Sequence, residues 1–81
     1  MTIHSERKDA MKREKIQRRF WDEVGAVEHI SIPELENAVK KEFKVEEGRR
    51  VQAQIRLMQT EGRIKVESVV KVWIKPPSMQ Q

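Results

Sequence analysis

The stretch VEEGRRVQAQIRLMQTEG, residues 45–62, decides the fold that this sequence predicts. On a helix turning by about 100° per residue, Val51, Ile55 and Met58 fall within roughly 60° of one another. They form an apolar stripe of the kind that faces a core. The opposite side holds polar residues and no acid: Arg49, Gln52, Arg56 and Thr60. Arg can fork onto guanine and Gln can pair with adenine, so this side could read base edges, or it could be an ordinary solvated helix face.

The ends and flank of this helix carry further predictions. Glu46 and Glu47 are expected in its first turn, where the helix dipole favours acids, and Gly62 is expected to end it. Leu57 lies roughly 120° from the apolar stripe, so it predicts either a flank contact to another helix or a subunit interface. In the second case Arg50, beside it, would be less free to meet a ligand.

Composition narrows the possible classes of protein. Eighty-one residues fit one small domain, and the net charge of +4 suits a polyanionic partner. The chain has no cysteine, which excludes disulfides, a thiolate nucleophile and a cysteine-based metal site. No apolar run is long enough to span a membrane, and the N-terminus lacks the apolar region of a signal peptide. We therefore expect an intracellular, cytoplasmic protein with no cofactor and no small-molecule effector.

The N-terminal part predicts one basic helix over roughly residues 6–25, with Ser5 as its N-cap. Residues 6–19 carry a net charge of +4, equal to that of the whole chain. The second half has a helical apolar period: Ile16, Phe20, Val24 and Val27. The first half is expected to be too polar to bury, and it either follows phosphates or is simply solvated. The predicted divisions are a basic helical extension over 1–15, a folded domain over 16–75 and a disordered tail over 76–81.

Ser31 begins the clearest local signature. Ser31 and Glu34 match a capping box, while Ile30 and Leu35 match the hydrophobic staple that accompanies it. Pro33 suits the first turn, where a missing N–H costs nothing. The helix is expected to end near Phe43, and its expected inner face is Leu35, Ala38, Val39 and Phe43.

Two features flank this second helix. Lys40, Lys41 and Lys44 cluster at its end, where they either complement the helix dipole or contact phosphates. Before it, Glu28-His29-Ile30 is expected to be a short strand that pairs elsewhere. His29 stands alone in the sequence and is assigned no chemistry.

Beyond Gly62 the apolar period changes to two. Ile64 and Val66 alternate with polar residues, as do Val70, Val72 and Ile74. This pattern predicts a two-stranded hairpin that turns around Glu67-Ser68 and ends at Pro76-Pro77.

The order helix, short strand, helix, helix, strand, strand resembles the winged helix-turn-helix superfamily, an α+β fold. The segments that carry the resemblance are HISIPELENAVKKEF and VQAQIRLMQTEGRIKV, and it covers residues 16–75. The superfamily often has apolar residues about eleven, seven and four positions before a Gly and another two after it. The matching positions are Val51, Ile55, Met58, Gly62 and Ile64. Within the superfamily, the chain resembles the compact winged-helix regulators of archaea and archaeal viruses.

The resemblance implies a double-stranded DNA-binding protein that regulates transcription. The third helix would enter the major groove and present Arg49, Arg50, Gln52, Arg56 and Thr60 to bases. Phosphate contacts would come from Lys40, Lys41, Lys44, Lys65 and Lys71, the last two on the wing. A homodimer that reads paired half-sites is a further expectation.

Other functions fit the residues less well. An enzyme would need paired carboxylates, a nucleophile with its base, or clustered metal ligands, and the acids here are scattered among bases. The alternative that stays open is a winged-helix protein–protein module, such as an adaptor or an inhibitor of a host machine. RNA binding is disfavoured because the four aromatic residues, Phe20, Trp21, Phe43 and Trp73, form no stacking platform in the sequence.

Overall fold

The computed structural model describes residues 2–24 and 29–77, and the side chains of residues 7–23 and 29–77. Its elements in chain order are α1 (Thr2–Val24), β1 (His29–Ile30), α2 (Ile32–Phe43), α3 (Gly48–Thr60), β2 (Ile64–Ser68) and β3 (Lys71–Ile74). Within this part of the chain, three helices pack with a three-stranded antiparallel sheet in the order β1-β3-β2. The predicted α+β class is therefore confirmed, as is the pairing of the short first strand with a distant one.

The core lies between the three helices and the inner face of the sheet. Val51, Ile55 and Met58 are all buried there, which confirms the apolar stripe of α3. The other buried apolar residues are Ile16, Phe20, Ile30, Leu35, Val39, Ile64, Val72 and Ile74. Each element contributes to this cluster, so the sheet and α1 together hold α2 and α3 in place.

The start of α2 has the predicted cap. The Glu34 N–H donates to Ser31 Oγ at 3.3 Å, and the Ser31 N–H donates to Glu34 Oε1 at 3.0 Å. Pro33 lies in the first turn, and the staple residues Ile30 and Leu35 are both buried. Two of the N–H groups that a helix start leaves without partners are thereby satisfied.

The connection from α2 to α3 differs from the prediction. Lys44 ends α2 in the left-handed conformation, with φ of 55°, and the Val45 N–H donates to Lys40 O. The chain is extended at Glu47, which caps α3, so α3 begins only at Gly48. The prediction that Glu46 and Glu47 lie in the first turn of α3 was wrong, because closing α2 with this left-handed turn delays the next helix.

Gly62 ends α3 as predicted. It has φ of 73°, and its N–H donates to Gln59 O at 3.0 Å. The Arg63 N–H donates to Met58 O at 2.9 Å. These two bonds form a Schellman motif, which favours glycine at the left-handed position and directs the chain into β2.

The β2–β3 hairpin turns later than predicted. Its turn lies at Val69-Val70, both exposed, and not at Glu67-Ser68. Val66 pairs with Val72 but Ser68 pairs with Lys71, so the register shifts by one residue at a β-bulge. The Ile32 N–H, at the start of α2, donates to Val69 O at 2.7 Å. This contact between distant segments holds the turn where no local pattern indicates it.

The start of α1 and the limits of the described residues also affect the predictions. The helix begins at Thr2, so Ser5 lies within it and is not its N-cap. Residues 25–28 and 78–81 lie outside the described residues, as does the side chain of Val24; the predictions for Val24, Gly25, Val27, Glu28 and most of the tail therefore stay predictions. In the described part of the chain, no helix is both long enough and apolar enough to cross a membrane.

Candidate nucleic-acid interface

The side of α3 that faces away from the core is a continuous polar surface. Arg49, Gln52, Arg56 and Thr60 are all exposed there. Their spacings of three and four residues put them on one side of the helix, opposite the buried stripe. We call these four residues the α3 polar face.

Two arginines of this face are uncommitted. The guanidinium groups of Arg49 and Arg56 make no hydrogen bond or ion pair with any residue that the structure describes. They are two helical turns apart, about 10 Å along the axis at 1.5 Å per residue. Since bases on one strand stack about 3.4 Å apart, the two guanidinium groups could reach bases about three steps apart.

The other two members of the face have partners within the chain. Gln52 Nε2 donates to Glu36 Oε2 at 2.6 Å, which connects α3 to α2. Thr60 Oγ1 donates to Arg56 O at 3.1 Å, a bond that helical threonines often form. The four residues of the α3 polar face include no acid, but the carboxylate of Glu36 lies at the edge of this face because it bonds to Gln52. Binding a polyanion here would require Gln52 to turn away from Glu36 or to act while still bonded to it.

Arg50 lies on the flank of α3 with Leu57. Its Nε lies 3.4 Å from Glu47 Oε1, and both side chains are largely exposed. An exposed ion pair of this kind contributes less than about 1 kcal/mol, so it holds Arg50 weakly. Leu57 is 41% exposed. It is therefore not packed into the core, and the alternative of a subunit or partner interface on this flank stays open.

The five predicted phosphate contacts are all exposed but do not form one surface. Lys40 follows Glu36 by four residues, which puts it on the side of α2 that faces α3. Lys41 instead lines grooves with Arg19 between α1 and α2. Lys44 lies in the turn between α2 and α3, just before the α3 polar face.

The two wing lysines lie on the hairpin. Lys65 pairs with Trp73 across β2 and β3, on the face of the sheet that points away from the core. Lys71 begins β3 next to the turn and pairs with Ser68. Lys71 is therefore at the tip of the hairpin, whereas Lys65 is near its middle.

A polar network that the sequence did not indicate positions α3 against α1. Arg13 is only 6% exposed, and its guanidinium donates to both carboxylate oxygens of Glu61, at 2.9 and 2.7 Å. It also donates to Gln54 Oε1 at 2.7 Å. Arg63 donates to Glu61 and to Gln17, and Gln17 donates to the Lys75 carbonyl. The network thus ties α1 to α3, to the start of β2 and to the end of β3.

Arg13 falls in the segment expected to be too polar to bury. That expectation was wrong for this residue, because a fully hydrogen-bonded charge pair permits burial that an isolated arginine would not. The side chain of Gln17 is fully buried as well and bonds to the backbone on its other side. Arg13 precedes Ile16 by three residues and Phe20 by seven, so the helical period puts it on their side of α1, a local signal that the neighbouring basic residues lack.

The network also perturbs an acid. The hydrogen bonds from Arg13 lower the pKa of Glu61 below its usual range, although partial burial acts in the opposite direction. Arg63 lowers this pKa further by hydrogen bonding and by its charge. Glu61 is therefore a structural anion at neutral pH, and its role is to hold the C-terminal end of α3.

Comparisons with known protein families, curated proteins and solved structures found no match to this chain.

Proposed function

We propose that this chain is a winged-helix protein that binds double-stranded DNA and regulates transcription. In this proposal α3 enters the major groove, and the β2–β3 hairpin is the wing that contacts the backbone or the minor groove. The support from the fold is the order of its elements, with a hairpin directly after the third helix and a short strand before the second. That fold alone serves several functions, so the residues of α3 carry the functional part of the argument.

The observation that carries the proposal is the pair of uncommitted arginines on α3. An arginine without an acidic partner retains all five of its N–H donors for a ligand, and its planar fork matches the guanine edge in the major groove. Arg49 and Arg56 lie on the same exposed side, opposite the buried stripe. Arg50, Gln52 and Thr60 would complete the base-reading set, with Gln52 exchanging Glu36 for an adenine edge.

Lysines would supply the sequence-independent part of binding. Lys40 and Lys44 flank the α3 polar face, and Lys71 lies at the tip of the wing, so these three would contact phosphates on either side of the groove. Lys41 and Lys65 point to other parts of the surface and would contribute through their charge alone.

A second function has one observation in its favour. Leu57 is 41% exposed on the flank of α3, next to Arg50 and its weak ion pair with Glu47. A protein–protein module would use this flank as its contact surface. Sequence preference distinguishes the two functions. A protein–protein module would bind DNA only through its net charge and would therefore prefer no sequence.

The same flank supports a prediction that the protein is a homodimer. Two copies joined through Leu57 would present two α3 helices to half-sites about one helical turn apart. Sedimentation at tens of micromolar, with and without DNA, measures this directly. A monomeric mass under both conditions would contradict the dimer, and a dimer unaffected by Leu57→Gln would exclude this flank as its interface.

Selection of bound sequences from random duplex DNA tests the proposal itself. We expect an enriched motif that contains guanines about three steps apart, together with an affinity that falls steeply with salt. Retention of duplexes without any enriched motif would support non-specific charge binding and the protein-interaction alternative.

A further inference from the structure

The outer face of the sheet brings an aromatic pair together. His29, Trp73 and Lys65 lie side by side across β1, β3 and β2, since Trp73 pairs with both of the others. The rings of His29 and Trp73 meet edge to face, with centroids 5.3 Å apart and planes at 78°. Neighbouring residues alternate inward, and Val72 and Ile74 are buried on the other side of β3.

A cleft adjoins this pair at the edge where α1 meets the sheet. It has a volume of about 360 Å³ and is lined by Trp21, Lys65, Glu67, Trp73, Lys75 and Pro76, with Ile74 below. The chain has only two tryptophans, and both line this cleft. Their indole rings are half-buried, so aromatic surface stays accessible to a ligand.

The charges around the cleft are mainly positive. Lys65 and Lys75 line it, and Lys71 lies two residues from Trp73 along β3. None of these three lysines forms an ion pair with a side chain that the structure describes. Glu67 is the acid in the lining, and it too has no ion-pair partner among the described side chains.

The indole N–H of Trp73 is a further feature of the cleft. Buried and half-buried tryptophans usually give this group a hydrogen-bond partner. Trp73 Nε1 has no partner among the described residues, so its donor is available to a ligand. The cleft therefore offers an aromatic surface, an N–H donor, a carboxylate acceptor and surrounding lysines.

We propose that this cleft binds an unpaired base of a single-stranded nucleic acid. The base would stack on Trp73, and the phosphates on either side of it would contact Lys65 and Lys75. Aromatic stacking beside a basic track is the means by which proteins hold single strands, and it tolerates any base because every base has a flat aromatic face. Glu67 could accept a hydrogen bond from the amino group of cytosine, adenine or guanine.

This site is separate from the α3 polar face. A paired base in a duplex is already stacked on both sides and cannot enter such a cleft, so the outer sheet face would select for single strands. The site would operate whether or not α3 reads duplex DNA. The sequence concealed it because Trp21 and Trp73 are far apart in the chain and only the packing of α1 against β3 brings them together.

Tryptophan fluorescence provides the test, because both tryptophans lie at the site. Titration with a twelve-nucleotide oligo-dT and a twelve-nucleotide oligo-U at low salt should quench the emission and reach saturation. Quenching by both strands would support a site that accepts either sugar, and quenching by one would assign the site to DNA or to RNA. Emission that neither strand changes would overturn the proposal.

Variants then locate the binding by fluorescence anisotropy of labelled strands. Trp73→Ala should weaken single-strand binding by about 5- to 150-fold, the usual loss for one stacked base. The double variant Lys65→Gln/Lys75→Gln changes only exposed side chains, and it should weaken binding and lower the salt slope by about 1.4, which is 0.7 for each phosphate. The control is Lys15→Gln, an exposed lysine of α1 outside both the cleft and the α3 polar face, which should leave single-strand binding nearly unchanged. Single-strand affinity that neither Trp73→Ala nor the lysine pair alters would overturn the site, whatever the outcome for duplex DNA.

Discussion

Ser31 acts on the stability of the domain through two backbone N–H groups at the start of α2. Replacing it by alanine removes the Oγ that accepts from Glu34 and leaves that N–H to water. We expect Ser31→Ala to lower the free energy of unfolding by about 1 kcal/mol. Urea unfolding measures the change, with Ser68→Ala as a control, since Ser68 is an exposed serine at the end of β2 without a capping role. Equal midpoints for wild type and Ser31→Ala would mean that the capping box contributes nothing.

Glu61 makes stability depend on pH in a defined direction. The pKa of Glu61 is lower in the folded state than in the unfolded chain. The stabilisation that the Glu61 carboxylate gives the folded state is therefore fully present above the unfolded-state pKa, near 4.3, and is lost as pH falls through the folded-state pKa. Glu61→Gln should therefore show a weaker loss of stability on acidification below about pH 5 than the wild type. It should also lower the free energy of unfolding at neutral pH by roughly 1–3 kcal/mol, because the buried guanidinium of Arg13 would lose the charge-assisted hydrogen bonds to its counter-charge.

The matched control for this acid is Glu14→Gln. Glu14 pairs with Arg18 one turn away on the surface of α1, with the Arg18 side chain 61% exposed. Its loss should change stability by less than about 0.5 kcal/mol. Thermal unfolding of the three proteins between pH 3 and 7 compares them, and parallel pH profiles for wild type and Glu61→Gln would contradict the role of the network.

At the scale of the element, the end of α2 carries a strained residue. Lys44 adopts the left-handed conformation, which costs a residue with a Cβ about 1–2 kcal/mol and costs glycine almost nothing. Lys44→Gly should therefore raise the free energy of unfolding by about 0.5–1 kcal/mol, part of the gain being offset by the greater freedom of glycine in the unfolded chain. Lys41→Gly, three residues earlier inside the helix, should lower it by about 1 kcal/mol. Chemical unfolding of both variants decides the matter, and a loss of stability in both would contradict the strain at Lys44.

Elements whose boundaries depend on local chemistry could be predicted from the sequence. The capping box at Ser31, the stop at Gly62 and the buried stripe of α3 each follow from residues within a few positions of one another. The hairpin turn could not be predicted, because a backbone bond from Ile32 to Val69 and a bulge near Glu67 determine it. Valines at 69 and 70 resemble strand residues in a local pattern, although they form the turn.

At the scale of the whole molecule, the exposed side of α3 could be predicted from the sequence, but the aromatic cleft could not. Helical geometry alone predicted that Arg49 and Arg56 share an exposed side. The contact of Gln52 with Glu36 depends on how α2 packs on α3, and the aromatic cleft depends on how α1 packs on the sheet. Arg13 shows the same limit, since its partners come from residues that follow it by forty positions or more. Contacts between distant segments therefore account for what the sequence alone could not indicate.

If α3 reads bases, mutations of its base contacts and mutations of the phosphate contacts should change DNA affinity in different ways. Arg56 would fork onto a base, so Arg56→Ala should weaken binding to the selected duplex by roughly 1–3 kcal/mol and barely change binding to random duplex. Lys71 would act only as a charge near phosphate, so Lys71→Ala should weaken both about equally and lower the salt slope by about one unit.

The most direct measurement is the affinity of the wild type and of Arg56→Ala for the selected and the random duplex, each titrated at several salt concentrations, with Lys71→Ala as the matched charge-removing control. We expect the ratio of specific to random affinity to fall by about 5- to 150-fold for Arg56→Ala and to stay at the wild-type value for Lys71→Ala. An Arg56→Ala protein that loses affinity for both duplexes equally would contradict base reading by α3.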